Sequence, residues 1–114
     1  MTAEDRLQQA CVNWFRYQYP KMTMFAIPNG GLRNKMTAVT LKKTGVLAGV
    51  ADLFLMHAVF PYNGLFIEMK VGKNKQTESQ KEFQIMAEQA GYLYEVCYDT
   101  ESFMTTVTNY IIGT

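Results

Sequence analysis

Two apolar runs, joined by a stretch suited to reversing the chain, constrain this 114-residue sequence more than any other feature. They read Ala51-Asp52-Leu53-Phe54-Leu55-Met56 and Leu65-Phe66-Ile67-Glu68-Met69-Lys70. Residues 58–64 between them include Pro61 and Asn63-Gly64, which favour turns, so the runs predict the two strands of an antiparallel hairpin. A turn centred near Phe60 sets Asp52 directly across from Glu68. One centred near Pro61 sets it across from Lys70. Side chains alternate faces along a strand, so Asp52, Phe54 and Met56 share one face, as do Phe66, Glu68 and Lys70. Opposed residues project to the same side, so either centring gathers Asp52, Glu68 and Lys70 at the hairpin end away from the turn.

Charged side chains within such strands lose hydration and are rarely buried unless paired or bound to something. A structural salt bridge between Lys70 and one acid is the plain alternative. It leaves the second carboxylate unpaired against like charge. A cation between the acids resolves that, and hard divalent cations take oxygen ligands, which points to a metal-dependent phosphodiesterase site.

The chain length predicts one domain, residues 1–114, and an apolar content of 48% supplies a modest core. No run of eighteen or more apolar residues suggests a membrane span. The opening residues Met1-Thr2-Ala3-Glu4-Asp5-Arg6 lack the apolar region of a secretory signal. Cys11 and Cys97 fall in apolar patterns without a CxxC partner, so they read as buried free thiols, and a cytoplasmic, reducing location is expected. One histidine and two distant cysteines make zinc a poor fit. His57 falls on the opposite face from Asp52 and reads as a surface or turn residue.

A net charge of +1 conceals an uneven distribution. Residues 21–51 contain Lys21, Arg33, Lys35, Lys42 and Lys43 and no acid, and residues 71–81 add Lys73, Lys75 and Lys81 against Glu78. Glu82, Glu88, Glu95, Asp99 and Glu101 follow without a base. The basic segments flank the acidic cluster in sequence, where a polyanion should lie if that cluster cuts it. An unevenly charged solvated surface is the competing explanation.

Leu7, Cys11, Trp14 and Phe15 have helical spacing, with Thr2 as N-cap and Pro20 ending the helix. A strand is expected over residues 22–27, then a loop at Pro28-Asn29-Gly30-Gly31 and a short helix over residues 35–43. The T-x-x-Q pattern Thr77 to Gln80 is a capping box for a helix that stops at Gly91. Tyr92-Leu93-Tyr94-Glu95-Val96-Cys97-Tyr98 reads as a strand, followed by a helix capped at Asp99 or Thr100 and buried through Phe103, Val107 and Tyr110. The order α-β-α-β-β-α-β-α predicts an α/β fold with a four-stranded mixed sheet flanked by helices. The helical crossover after Lys70 should be parallel and right-handed.

With these residues placed, the chain resembles the PD-(D/E)XK nuclease superfamily and, within it, the VRR-NUC (virus-type replication–repair nuclease) family. Gly49-Val50-Ala51-Asp52 matches the Asp motif and Glu68-Met69-Lys70 the E-x-K motif. Gln80 matches the glutamine of the following helix, Glu4 the acid of the first helix, and Pro28-Asn29-Gly30-Gly31 the loop after the first strand. Ala51 stands where the superfamily name has proline. The resemblance implies a PD-(D/E)XK fold and DNA cleavage with Mg2+ or Mn2+ held by Asp52, Glu68 and the Met69 carbonyl. Lys70 would orient or deprotonate a water, and Glu4 would complete the metal shell through a water or bind a second ion. A solvated acid favoured by the helix dipole is the competing reading of Glu4. Gln80 would hold Lys70 or a water, a role that competes with its capping bond to Thr77.

Arg33, Lys35, Lys42, Lys43, Lys73 and Lys75 are the candidate DNA-phosphate contacts, with recognition by shape rather than sequence. Small members of the family resemble homodimeric resolvers of four-way (Holliday) junctions, whose symmetric cuts need two sites. Tyr17, Tyr19, Phe60, Tyr62, Tyr92 and Tyr98 are candidate interface residues. A flap- or end-directed nuclease, and a DNA-binding protein without activity, are the alternatives.

Overall fold

Local signals at the chain start already form a helix. The Thr2 hydroxyl accepts from the Asp5 amide and the Asp5 carboxylate accepts from the Thr2 amide, closing a capping box on α1, Ala3–Gln18. The computed structural model describes residues 1–28 and 37–113. Along them follow β1 (Met24–Ala26), α2 (Ala38–Lys43), β2 (Leu53–Leu55), β3 (Leu65–Met69), α3 (Glu78–Gln89), β4 (Leu93–Cys97) and α4 (Thr100–Ile112). This is the element order that the sequence predicts.

The four strands lie in the order β1-β2-β3-β4, antiparallel except for the parallel pair β3–β4. The crossover through α3 makes that last pair parallel, as expected of a strand–helix–strand unit. Leu53, Leu55, Leu65, Ile67 and Met69 are buried on one face against Cys11 and Phe15 of α1 and Phe103, Val107 and Tyr110 of α4. The other face carries Phe66 and Tyr94 against Phe83 and Ala87 of α3. A run of rings from Phe25 through Phe54 and Phe66 to Phe83, with centroids 4.7–5.7 Å apart, extends along this second face.

The hairpin register pairs Leu53 with Ile67, Phe54 with Phe66 and Leu55 with Leu65, which centres it on Phe60. Of the two expected centrings, this is the one that puts position 52 opposite 68. The reversal itself occurs at Val59–Tyr62, whose two residues exchange backbone hydrogen bonds around a cis Phe60–Pro61 peptide, rather than at Asn63-Gly64. The strands are shorter than the apolar runs. β2 begins after Asp52 and β3 ends before Lys70.

Cys11 and Cys97 are buried free thiols, with burial pushing them up to about 12 and about 11. Tyr19 and Tyr92 do not belong with the surface aromatics. Tyr19 packs on Trp14 and Phe15, and Tyr92 on Phe54 and Phe66. Tyr17, Phe60, Tyr62 and Tyr98 are exposed.

Candidate active site

Asp52 is fixed from both sides. Its carbonyl accepts the Ile27 amide at 2.8 Å, and its Oδ2 accepts the Met69 amide at 2.7 Å. Continuing the register would pair Ala51 with Met69 and give that amide to the Ala51 carbonyl. The Asp52 side chain takes its place, so the β2–β3 ladder stops where the carboxylate begins. Within a strand a residue's N–H and C=O point to the same side. The Met69 carbonyl therefore faces the Asp52 side.

Glu68 is 2% exposed, and its Oε1 is buried without a hydrogen-bond partner among the described residues. Its Oε2 accepts from Gln80 Nε2 at 3.1 Å and lies 3.9 Å from the Lys70 ammonium, itself 7% exposed. Burial, then the neighbouring Asp52 charge, pushes the Glu68 carboxyl up to about 8 against a partial offset from Lys70. Glu4 reaches the same group from the first turn of α1. Its carboxyl is raised by burial and by Asp52, and lowered by Lys70. Three sequence-distant segments thus bring Asp52, Glu68, Lys70 and Gln80 together, with Glu4 near enough to feel the charges of Asp52 and Lys70.

Gln80 makes the capping bond and, with the other end of its amide, reaches the acidic cluster, so capping does not exclude a contact at the site. Its Oε1 accepts the Thr77 amide at 2.9 Å as part of the α3 capping box, while Nε2 donates to Glu68. The Thr77 N–H can only donate, so it fixes which end of the amide faces the carboxylate. The side-chain partner of Gln80 is Glu68 rather than Lys70. The start of α3 is in turn seated against Gly49, where an added Cβ would lie 2.2 Å from the Ser79 carbonyl oxygen.

Behind Glu68 stands a set of residues that the motifs do not mark. Tyr94 is 4% exposed, and its hydroxyl accepts from Gln76 Nε2 at 3.2 Å. The same nitrogen donates to Gln84 Oε1 at 2.9 Å, and Gln84 Nε2 donates to Glu88 Oε2 at 3.2 Å. Burial and the nearby Glu68 and Asp52 charges push the Tyr94 phenol up to about 12. The available signal is the period-two alternation of β4, which puts position 94 on the Glu68 face.

Among the described residues no three His, Cys, Asp or Glu side chains form a metal-holding group. The ligand set available is two carboxylates and a main-chain carbonyl. A buried carboxylate oxygen without a partner, beside a second carboxylate, fits a hard divalent cation. Lys42, Lys43, Lys73 and Lys75 are exposed, and Arg33 and Lys35 lie outside the described residues. Lys42 borders a cleft of about 930 Å3 that runs past Leu41, Val46, Gly49 and Ser79 to Gln80. Of these four lysines, Lys42 is the one that lines the cleft, together with the acid Glu82.

The family model described as VRR-NUC domain matches residues 2–100. The chain belongs to the VRR-NUC family. A solved structure named a VRR_NUC domain protein is similar to it, with a TM-score of 0.82 and 29% identity, covering 98% of this chain and 90% of that one. No curated protein sequence matches. This is a nuclease-type domain, and its four-stranded mixed sheet flanked by helices agrees with the PD-(D/E)XK architecture. Among the described residues no helix is long and apolar enough to cross a membrane.

Proposed function

We propose that this VRR-NUC domain is a structure-selective DNA endonuclease that hydrolyses phosphodiester bonds with Mg2+ or Mn2+, acting on branched DNA such as four-way junctions. The observation that carries the reading is the buried Glu68 Oε1, without a partner among the described residues, on a carboxylate that feels the Asp52 charge and whose Oε2 lies 3.9 Å from the Lys70 ammonium. Asp52, Glu68 and the Met69 carbonyl would hold the cation. When bound, it lowers the pKa of a water and offsets charge on the phosphate oxygens.

The chain's own groups do the rest. The Met69 amide occupies Asp52 Oδ2 and leaves Oδ1 for the cation. Gln80 holds one Glu68 oxygen and leaves the other. Lys70 is almost fully shielded from solvent, and at 3.9 Å from Glu68 Oε2 its ammonium keeps its N–H donors for other groups. It positions the attacking water and counters the charge that develops on the phosphate. Glu4 holds a water at the α1 side of the site. Lys42, Lys43, Lys73 and Lys75 take the flanking phosphates, which gives affinity without base reading.

Cleavage of labelled four-way junction, flap, linear duplex and single strand, with Mg2+, Mn2+ or EDTA, tests this. Symmetric, cation-dependent cuts in the junction are expected, reduced at least about 100-fold in Lys70→Ala with binding retained. Cuts confined to flaps or ends would replace the junction reading. Binding without cleavage of any substrate would leave a DNA-binding domain.

A further inference from the structure

We propose that Tyr94, oriented by Gln76, is a positioning residue that donates its hydroxyl proton to the Glu68 carboxylate and fixes the attitude in which Glu68 meets its cation. This rests on the function proposed for the same site. The parallel register pairs Phe66 with Tyr94 and Glu68 with Val96, so Tyr94 lies on the Glu68 face, one alternation away. Its ring is held against Phe83, with centroids 6.1 Å apart, which leaves the hydroxyl as the adjustable part.

The direction of the hydrogen bonds decides what that hydroxyl does. Glu88, a carboxylate, accepts from Gln84 Nε2, so Gln84 turns its oxygen to Gln76. Gln76 must then present its nitrogen, and its two hydrogens go to Gln84 and to the Tyr94 oxygen. The Tyr94 oxygen is thereby an acceptor, and its own proton is left without a partner in the chain of bonds. On the same sheet face stands the Glu68 carboxylate, close enough for its charge to raise the phenol's proton affinity. The carboxylate carries a buried oxygen that also lacks a partner. The structure shows no hydrogen bond between them, but a buried donor and a buried acceptor on one sheet face, each otherwise unmatched, would satisfy each other on closing to bonding distance. An oxygen of Glu68 has two lone pairs, so accepting the hydroxyl leaves one for a cation.

Such partners of a metal ligand typically change affinity or activity by about 10- to 100-fold when removed. The test uses the full chain, Tyr94→Phe and Gln76→Ala. It compares Mn2+ binding by calorimetry without DNA, kcat and KM on a cleaved substrate at saturating Mn2+, and melting in EDTA. Tyr94→Phe keeps the ring and is expected to melt within a few degrees of wild type. It should bind Mn2+ about 10-fold more weakly and lose kcat about 10-fold with KM for DNA unchanged. Gln76→Ala should move the same quantities the same way by a smaller factor, about 3-fold. Wild-type Mn2+ affinity and kcat in Tyr94→Phe would overturn the proposal. So would a loss in which melting falls and kcat and KM change together, the mark of a packing role. If the wild-type chain neither binds Mn2+ nor cleaves, the proposed function fails and this inference with it. An active wild type with an unaffected Tyr94→Phe removes this inference alone.

Discussion

Glu68 carries a conflict, because an almost wholly buried carboxyl sits beside a second acid with only one of its oxygens satisfied among the described residues. Its proton affinity follows. In the unfolded chain it titrates near 4.5 and in the cation-free fold at about 8. Between those values the fold holds a proton that the unfolded chain has released, so stability falls as pH rises from about 4.5 to about 8 and is level above. The raised carboxyls of Glu4 and Glu95 act in the same direction. Melting in EDTA across this range should show the decline, amounting to a few kcal/mol, and Glu68→Gln should flatten most of it. A wild-type profile that rises toward pH 8 would contradict the account. A cation must displace the same proton, so the half-activating Mn2+ concentration should fall about tenfold per pH unit up to pH 8 and then level off. Asp52, Glu68 and Lys70 were legible as one cluster because strand alternation reduces to counting residues. Gln80 was legible, but its double role was not, since assigning it one task ignores the two ends of an amide. Strand alternation puts Tyr94 on the Glu68 face, but its link to Gln76 left no periodic trace, because it is a long-range polar contact between a loop and a strand.

The start of α3 joins the fold to the site. Thr77 and Gln80 cap the helix reciprocally, the Gln80 amide reaches Glu68, and the Ser79 carbonyl rests on Gly49. Gly49 has φ +85, where a side chain is already disfavoured, and its Cβ would collide with main-chain atoms that have no easy escape. Gly49→Ala should therefore cost about 2 kcal/mol or more, lowering the melting temperature by roughly 10 °C. It should also weaken cleavage beyond the effect on folding, because Gln80 moves with the helix end. Melting and cleavage of the folded fraction, measured together, check this. Wild-type cleavage by that fraction would uncouple the cap from the site. Helix ends were well marked in the sequence because caps use a few residue types within three positions. Strand ends were not. Asp52 and Lys70 continue the apolar runs in sequence, yet pairing ends before them because the Asp52 side chain takes a bond that the ladder would have used.

Across the whole molecule, the order of elements follows from local patterns, and the sheet order follows from the hairpin and the crossover. The approach to the site was less legible. Lys42 borders the cleft beside Gln80 only because the segment after α2 folds back onto α3 at Gly49, a tertiary contact with no sequence period. Four of the six candidate interface aromatics are exposed, and Phe60, at 96%, stands at the hairpin tip away from the carboxylates. A homodimer with two sites suits symmetric cutting, and sedimentation equilibrium should then return twice the mass of one chain. A one-chain mass at working concentrations would remove the dimer.

The interrupted ladder at Asp52 bears on any attempt to redesign this scaffold. A procedure that rewards regular strands would extend the hairpin by one pair, join Ala51 to Met69 through the main chain, and judge the result an improvement. The reward would be a tidier sheet and a more robust protein, obtained by freeing the one side chain whose fixed aim gives the scaffold its use. Thermostabilised versions are better sought at the far end, around the Val59–Tyr62 reversal, which lies away from Asp52, Glu68 and Lys70.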